Sequence, residues 1–113
     1  MQTITAAELK KLLDSDKGVI LVDVRTPGRY SEKHIPGAIN APATDDFAKG
    51  LAKAAGGMDA ALVLYAEHEA DDAELKATCE QAEALGYKDV SCLKGGIMAW
   101  MEAGGTVEGG QES

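Results

Sequence analysis

The amino-acid sequence predicts an α/β fold, a mostly parallel β-sheet with helices on both faces. Three observations predict it. Short apolar runs alternate with helix-period segments along the whole chain, the pattern of parallel strands joined by helical crossovers. Two of those runs, Val19-Ile20-Leu21-Val22 and Ala61-Leu62-Val63-Leu64-Tyr65, are continuous rather than alternating, as expected of strands covered on both faces. The chain has 113 residues, enough for one domain to bury a core without disulfide or metal.

The elements follow in order. Thr3-Ile4 reads as a short strand. Thr5-Ala6-Ala7-Glu8 has the form of a capping box, and Leu9, Leu12 and Leu13 then recur at helical spacing. Gly18 ends that unit before the Val19–Val22 run, which Asp23-Val24-Arg25 closes. Pro27 suits the first turn of a short helix reaching Tyr30. His34-Ile35-Pro36-Gly37-Ala38 is a turn, and Ile39-Asn40-Ala41 a brief strand stopped by Pro42. Asp45 or Asp46 can cap a helix carrying Phe47, Leu51 and Ala54 on one face, with Gly56-Gly57 at its end. The buried strand Ala61–Tyr65 leads into a polar stretch, Ala66 to Asp72, and then a helix marked by Leu75, Cys79, Ala82 and Leu85 that stops at Gly86. Asp71-Asp72-Ala73-Glu74 has the form of a second capping box. Val90–Leu93 is another strand, and Gly95-Gly96 opens a last helix, Ile97 to Ala103, on which Trp100 packs against the sheet. From Gly104 the chain is rich in Gly and Glu. The expected organisation is one domain over 1–107 and a frayed tail over 108–113.

Charge narrows the functions. With 11 Lys and Arg against 19 Asp and Glu, the net charge is −8. That disfavours nucleic acid and anionic membrane, whose binding depends on basic side chains. No apolar run approaches the ~18 residues of a membrane span. Met1-Gln2-Thr3 leads straight into structure, so no signal peptide is visible and the expected place is the cytoplasm, or the periplasm if a leader has been removed. The two cysteines, Cys79 and Cys92, form neither a disulfide framework nor a zinc spacing. Each reads as a small buried hydrophobe. A monomer with no cofactor and an unidentified protein partner is expected.

In an open parallel sheet ligands bind beyond the carboxyl ends of the strands, here Asp23-Val24-Arg25, the loop after Tyr65, and Gly95-Gly96. These segments, in this order, resemble the rhodanese family. The matching pieces are Leu21-Val22-Asp23-Val24-Arg25, Tyr30 with His34-Ile35-Pro36-Gly37-Ala38-Ile39-Asn40, Leu62–Tyr65, Leu85-Gly86-Tyr87-Lys88-Asp89-Val90, and Leu93-Lys94-Gly95-Gly96-Ile97-Met98-Ala99-Trp100. The resemblance implies a three-layer rhodanese-like fold with a five-stranded parallel sheet flanked by helices on both faces. It also implies sulfur-transfer chemistry: a cysteine ending the central strand carries sulfur as a persulfide and begins a C-x-x-G-x-R loop whose N–H groups and arginine hold an anionic substrate.

Here the aligned loop is Ala66-Glu67-His68-Glu69-Ala70-Asp71, followed by Asp72. The resemblance places Ala66 at the nucleophile position, Glu69 at the glycine position and Asp71 at the arginine position. A methyl group has no nucleophilic atom, and four carboxylates between Glu67 and Asp72 repel an anion, each by about 1 kcal/mol at 4 Å in water. An engineered Cys→Ala trap would keep the rest of the loop, so a natural non-catalytic loop is the preferred reading. The expectation is therefore a non-catalytic rhodanese-homology domain, a binding or regulatory module whose rim comprises Asp23, Arg25, Ala66 to Asp72, Gly95 and Gly96. In the family, Asp23 and Arg25 would brace the region. Two alternatives stay open: a sulfurtransferase using a displaced cysteine such as Cys92, and a metal-responsive acidic loop around His68.

Overall fold

A computed structural model describes residues 2–15 and 18–109. Five strands, β1 (Gln2–Ile4), β2 (Ile20–Asp23), β3 (Ile39–Asn40), β4 (Ala61–Tyr65) and β5 (Asp89–Leu93), alternate with five helices, α1 (Ala6–Asp14), α2 (Pro27–Glu32), α3 (Phe47–Ala55), α4 (Asp72–Ala84) and α5 (Gly96–Glu102). The strands form one sheet in the order β1-β5-β4-β2-β3, parallel at every pairing. Among the described residues no helix is long and apolar enough to cross a membrane.

The two-residue period of a strand divides the core. In β4, Leu62 and Leu64 face a layer with Phe47 and Leu51 of α3 and Leu75 and Ala82 of α4. Val63 and Tyr65 face the opposite layer with Leu9 of α1 and Ile97 and Trp100 of α5. The continuous apolar runs of β2 and β4 exist because both faces of these central strands are covered.

Local signals behave unevenly. The first capping box forms as expected, Thr5 Oγ1 accepting from Glu8 N and Glu8 Oε1 from Thr5 N. Neither aspartate expected to cap α3 does so by its side chain: Asp46 occupies the cap position without a capping bond. The second capping box is absent as well. A 3-10 turn over Glu69–Asp71 precedes α4, and within it the Asp71 carboxylate accepts from His68 N at 3.2 Å, so it does not cap α4.

The segment after Gly104 is tied to the body of the domain as far as Glu108. Trp100 Nε1 donates to the Thr106 carbonyl at 2.6 Å, and Glu108 forms a two-way backbone bridge with His34, at 2.8 and 2.9 Å. Met1 and residues 110–113 of the expected tail lie outside the described residues.

Candidate functional site

The carboxyl ends of β2 and β4 lie side by side, with Asp23 opposite Tyr65. Each strand runs straight into a loop there, and the two loops flank an open cleft of about 660 Å³. One wall is Val24 to Thr26 with Arg29. The other is Ala66 to His68 with Asp71, continued by Glu74, Leu75 and Thr78 of α4.

The loop's path is set from outside. The first N–H groups of α5 have no partner within their helix. Ile97 N donates to the Ala66 carbonyl and Met98 N to the Glu67 carbonyl, both at 3.0 Å. Gly96 makes this approach possible. A Cβ there would stand 2.5 Å from the Ala66 carbonyl oxygen and 2.7 Å from the Glu67 carbonyl carbon, and its φ is +62°. The Asp72 carboxylate accepts from Gly95 N at 3.2 Å.

A buried ion cluster lies beneath the cleft. Arg25 Nη2 meets Asp23 Oδ2 at 2.8 Å, Arg25 Nε meets Asp23 Oδ1 at 3.1 Å, and Arg25 Nη1 meets Glu67 Oε1 at 2.8 Å. Arg25 Nη2 also donates to the Lys33 carbonyl at 2.5 Å. Burial opposes the guanidinium charge, but the bonds to Asp23 and Glu67 outweigh it and raise the Arg25 pKa. The arginine fork, which could bind an oxyanion, is filled by the protein's own carboxylates. Asn40 ties the strand ends together, donating to the Asp23 and Arg25 carbonyls at 2.9 and 3.0 Å.

Tyr65 lies against this cluster, fully buried, its hydroxyl accepting from Ile35 N at 3.1 Å. Arg25 Cζ is 5.9 Å from its ring centroid. Burial first, and the Asp23 charge second, push its pKa well above the ordinary 10.0. A folded-state value above the unfolded one leaves the contribution intact below about pH 10. It is then lost as pH rises, because the unfolded chain sheds its proton first, at about 1.4 kcal/mol per pH unit. Urea unfolding at pH 8 and pH 11 is expected to show this loss, and Tyr65→Phe to reduce it. An equal loss in both proteins would refute the assignment.

The expected rim is thus rearranged. Arg25, Ala66, Glu67, His68 and Asp71 line the cleft. Asp23 is fully buried and Gly96 buried, so both act from behind it, and Asp72 with Cys92 lines a different cleft. Arg29 and Thr78 join the walls unforeseen, and Glu74, read in the sequence as part of a capping box, joins them; its helical spacing from Thr78 was the available signal. His68 Nδ1 lies 3.4 Å from Asp71 Oδ2. Among the described residues no three His, Cys, Asp or Glu side chains group as metal ligands, so geometry lends the metal alternative no support. Both cysteines are buried, as expected, but their sulfurs are in contact, 2.6 Å apart, which no local pattern signals.

A five-stranded parallel sheet, with its cleft beyond the ends of the two central strands, belongs here to a known class. The chain is a member of the Rhodanese-like domain family, whose sequence pattern matches residues 5–103. It is 38% identical over 99 residues to the probable adenylyltransferase/sulfurtransferase MoeZ of Mycobacterium tuberculosis, a match covering 87% of this chain and 24% of MoeZ. The chain thus spans about a quarter of that relative's length. It is 28% identical over 116 aligned positions to the thiosulfate:glutathione sulfurtransferase of Saccharomyces cerevisiae, covering 93% of this chain and 81% of that protein. The crystal structure of the Alr3790 protein from Anabaena superposes with a TM-score of 0.83 at 28% identity, covering 94% of this chain and 80% of that one.

Proposed function

We propose that this chain is a rhodanese-homology domain that works by binding rather than by sulfur transfer from the loop after β4. The observation that carries the reading is the bond between Glu67 and Arg25. In the family resemblance, position 66 supplies the sulfur-carrying thiol, and here it supplies a methyl group. The next residue turns its carboxylate inward onto the arginine fork, an intramolecular stand-in for an anion. Asp71 and Glu74 add negative charge to the same cleft, so a bound thiosulfate would be opposed by several kcal/mol if partly shielded from water. A protein partner presenting basic side chains suits that cleft.

The second reading keeps the sulfur transfer for which the relatives are named and moves it to Cys92. What favours it is position: Cys92 lines a separate cleft, and contact with Cys79 lowers its pKa, as a sulfur nucleophile requires.

A thiosulfate:cyanide assay separates the two. The binding reading expects no thiocyanate above the protein-free blank. Turnover that matches an active family member would overturn it, and loss of that turnover in Cys92→Ser would establish the second reading.

A further inference from the structure

The two cysteines belong to neither wall of the first cleft. Cys79 projects from α4 and Cys92 from β5 into the same core layer, thirteen residues apart in sequence with Sγ atoms 2.6 Å apart. Cys92 also lines a second cleft of about 370 Å³, together with Asp72, Lys76 and Lys94. Cys79 is fully buried and does not line it.

We propose that Cys92 and Cys79 form a peroxide-oxidisable dithiol: a hydroperoxide entering the second cleft oxidises Cys92, and Cys79 converts the product to a disulfide joining β5 to α4. In the first step the Cys92 sulfur attacks one peroxide oxygen. An S–O bond forms, the O–O bond breaks, and the departing hydroxide takes the thiol proton and leaves as water. In the second step the Cys79 sulfur attacks the Cys92 sulfenic acid. The S–S bond forms, the S–O bond breaks, and hydroxide leaves with the Cys79 proton as a second water. Two thiols are oxidised and one hydrogen peroxide is reduced to two waters.

Three features support this division of labour. The sulfurs are already adjacent, 2.6 Å apart against about 2.05 Å in a disulfide. The residue in the cleft is Cys92, so a small oxidant meets that sulfur first. Contact with Cys79 lowers the Cys92 pKa against the opposing effects of burial and Asp72, while the same contact and burial raise that of Cys79. Cys92 is therefore the more acidic thiol of the pair. The consequence reaches the loop, because α4, which the disulfide would fasten at Cys79, starts at Asp72, the residue that holds Gly95 N.

The test treats the native protein with hydrogen peroxide, then alkylates it in denaturant and weighs the intact chain. The expected result is a loss of two hydrogens, a fall in alkylatable thiols from two to none, and one cross-linked peptide pair joining Cys79 to Cys92. Dithiothreitol should reverse it, and the rate should not depend on protein concentration. Cys79→Ser is expected to stop at a Cys92 sulfenic acid trapped by dimedone. Two alkylatable thiols after treatment, a disulfide between two chains, or oxidation of Cys79 ahead of Cys92 would each overturn the proposal. The unsubstituted arm decides even if a variant fails to fold.

Discussion

Asp23→Ala is expected to lower the unfolding free energy by about 3–5 kcal/mol, the cost of leaving a buried charge without its partner. Asp23 is fully buried. Its carboxylate accepts from Arg25 Nε, Nη2 and the backbone N, and alanine replaces none of these bonds. The side chain of Arg25 is only 6% exposed, so water replaces the lost carboxylate poorly. Discarding the proton is no escape, because a guanidinium stays protonated in proteins. Glu67 contacts the same fork but is 21% exposed, so water can replace its carboxylate. Glu67→Ala is therefore expected to cost about 1 kcal/mol or less. Urea unfolding of both variants checks the ranking, and a larger cost for Glu67→Ala would refute it.

Gly96→Ala is expected to destabilise the protein by about 2–5 kcal/mol, combining left-handed backbone strain with overpacking. The obstacles are backbone atoms of Ala66 and Glu67, both within 2.8 Å of the added carbon, and neither can rotate away. The damage should concentrate where α5 meets the loop, since the bonds from Ile97 N and Met98 N must lengthen to make room. Gly104 provides the control: its φ is +89° but a Cβ there meets nothing within 4 Å, so Gly104→Ala should cost only the strain, about 1–2 kcal/mol. Equal melting temperatures for the two variants would refute the steric account.

What was legible in the sequence was whatever depends on neighbours in sequence. The Thr5–Glu8 box needs only four residues, and the Ala61–Tyr65 strand announces its two covered faces by composition alone. The Asp71–Glu74 box failed because a competing local bond, from His68 N, captured the Asp71 carboxylate. The ion cluster was half visible. Asp23 and Arg25 lie two residues apart, but Glu67 is 42 residues from Arg25, and only the pairing of β2 with β4 brings it there. The cysteine pair was hidden for the same reason: helix period and strand period each place one sulfur inward, but neither says that the sulfurs meet. The end of the chain looked loose because Gly and Glu carry no apolar signal. Its attachment at His34 joins two backbone bonds to a side-chain contact, His34 Nε2 to Glu108 Oε2 at 3.2 Å, between residues 74 apart in sequence.

The bonds from α5 to the Ala66 and Glu67 carbonyls engage only main-chain atoms, so they are indifferent to which side chains positions 66 and 67 carry. A loop secured in this way can exchange its chemistry without refolding. Its outline is inherited from the framework, and its content is open to substitution one position at a time. Such a scaffold separates the shape of the groove from the side chains displayed in it.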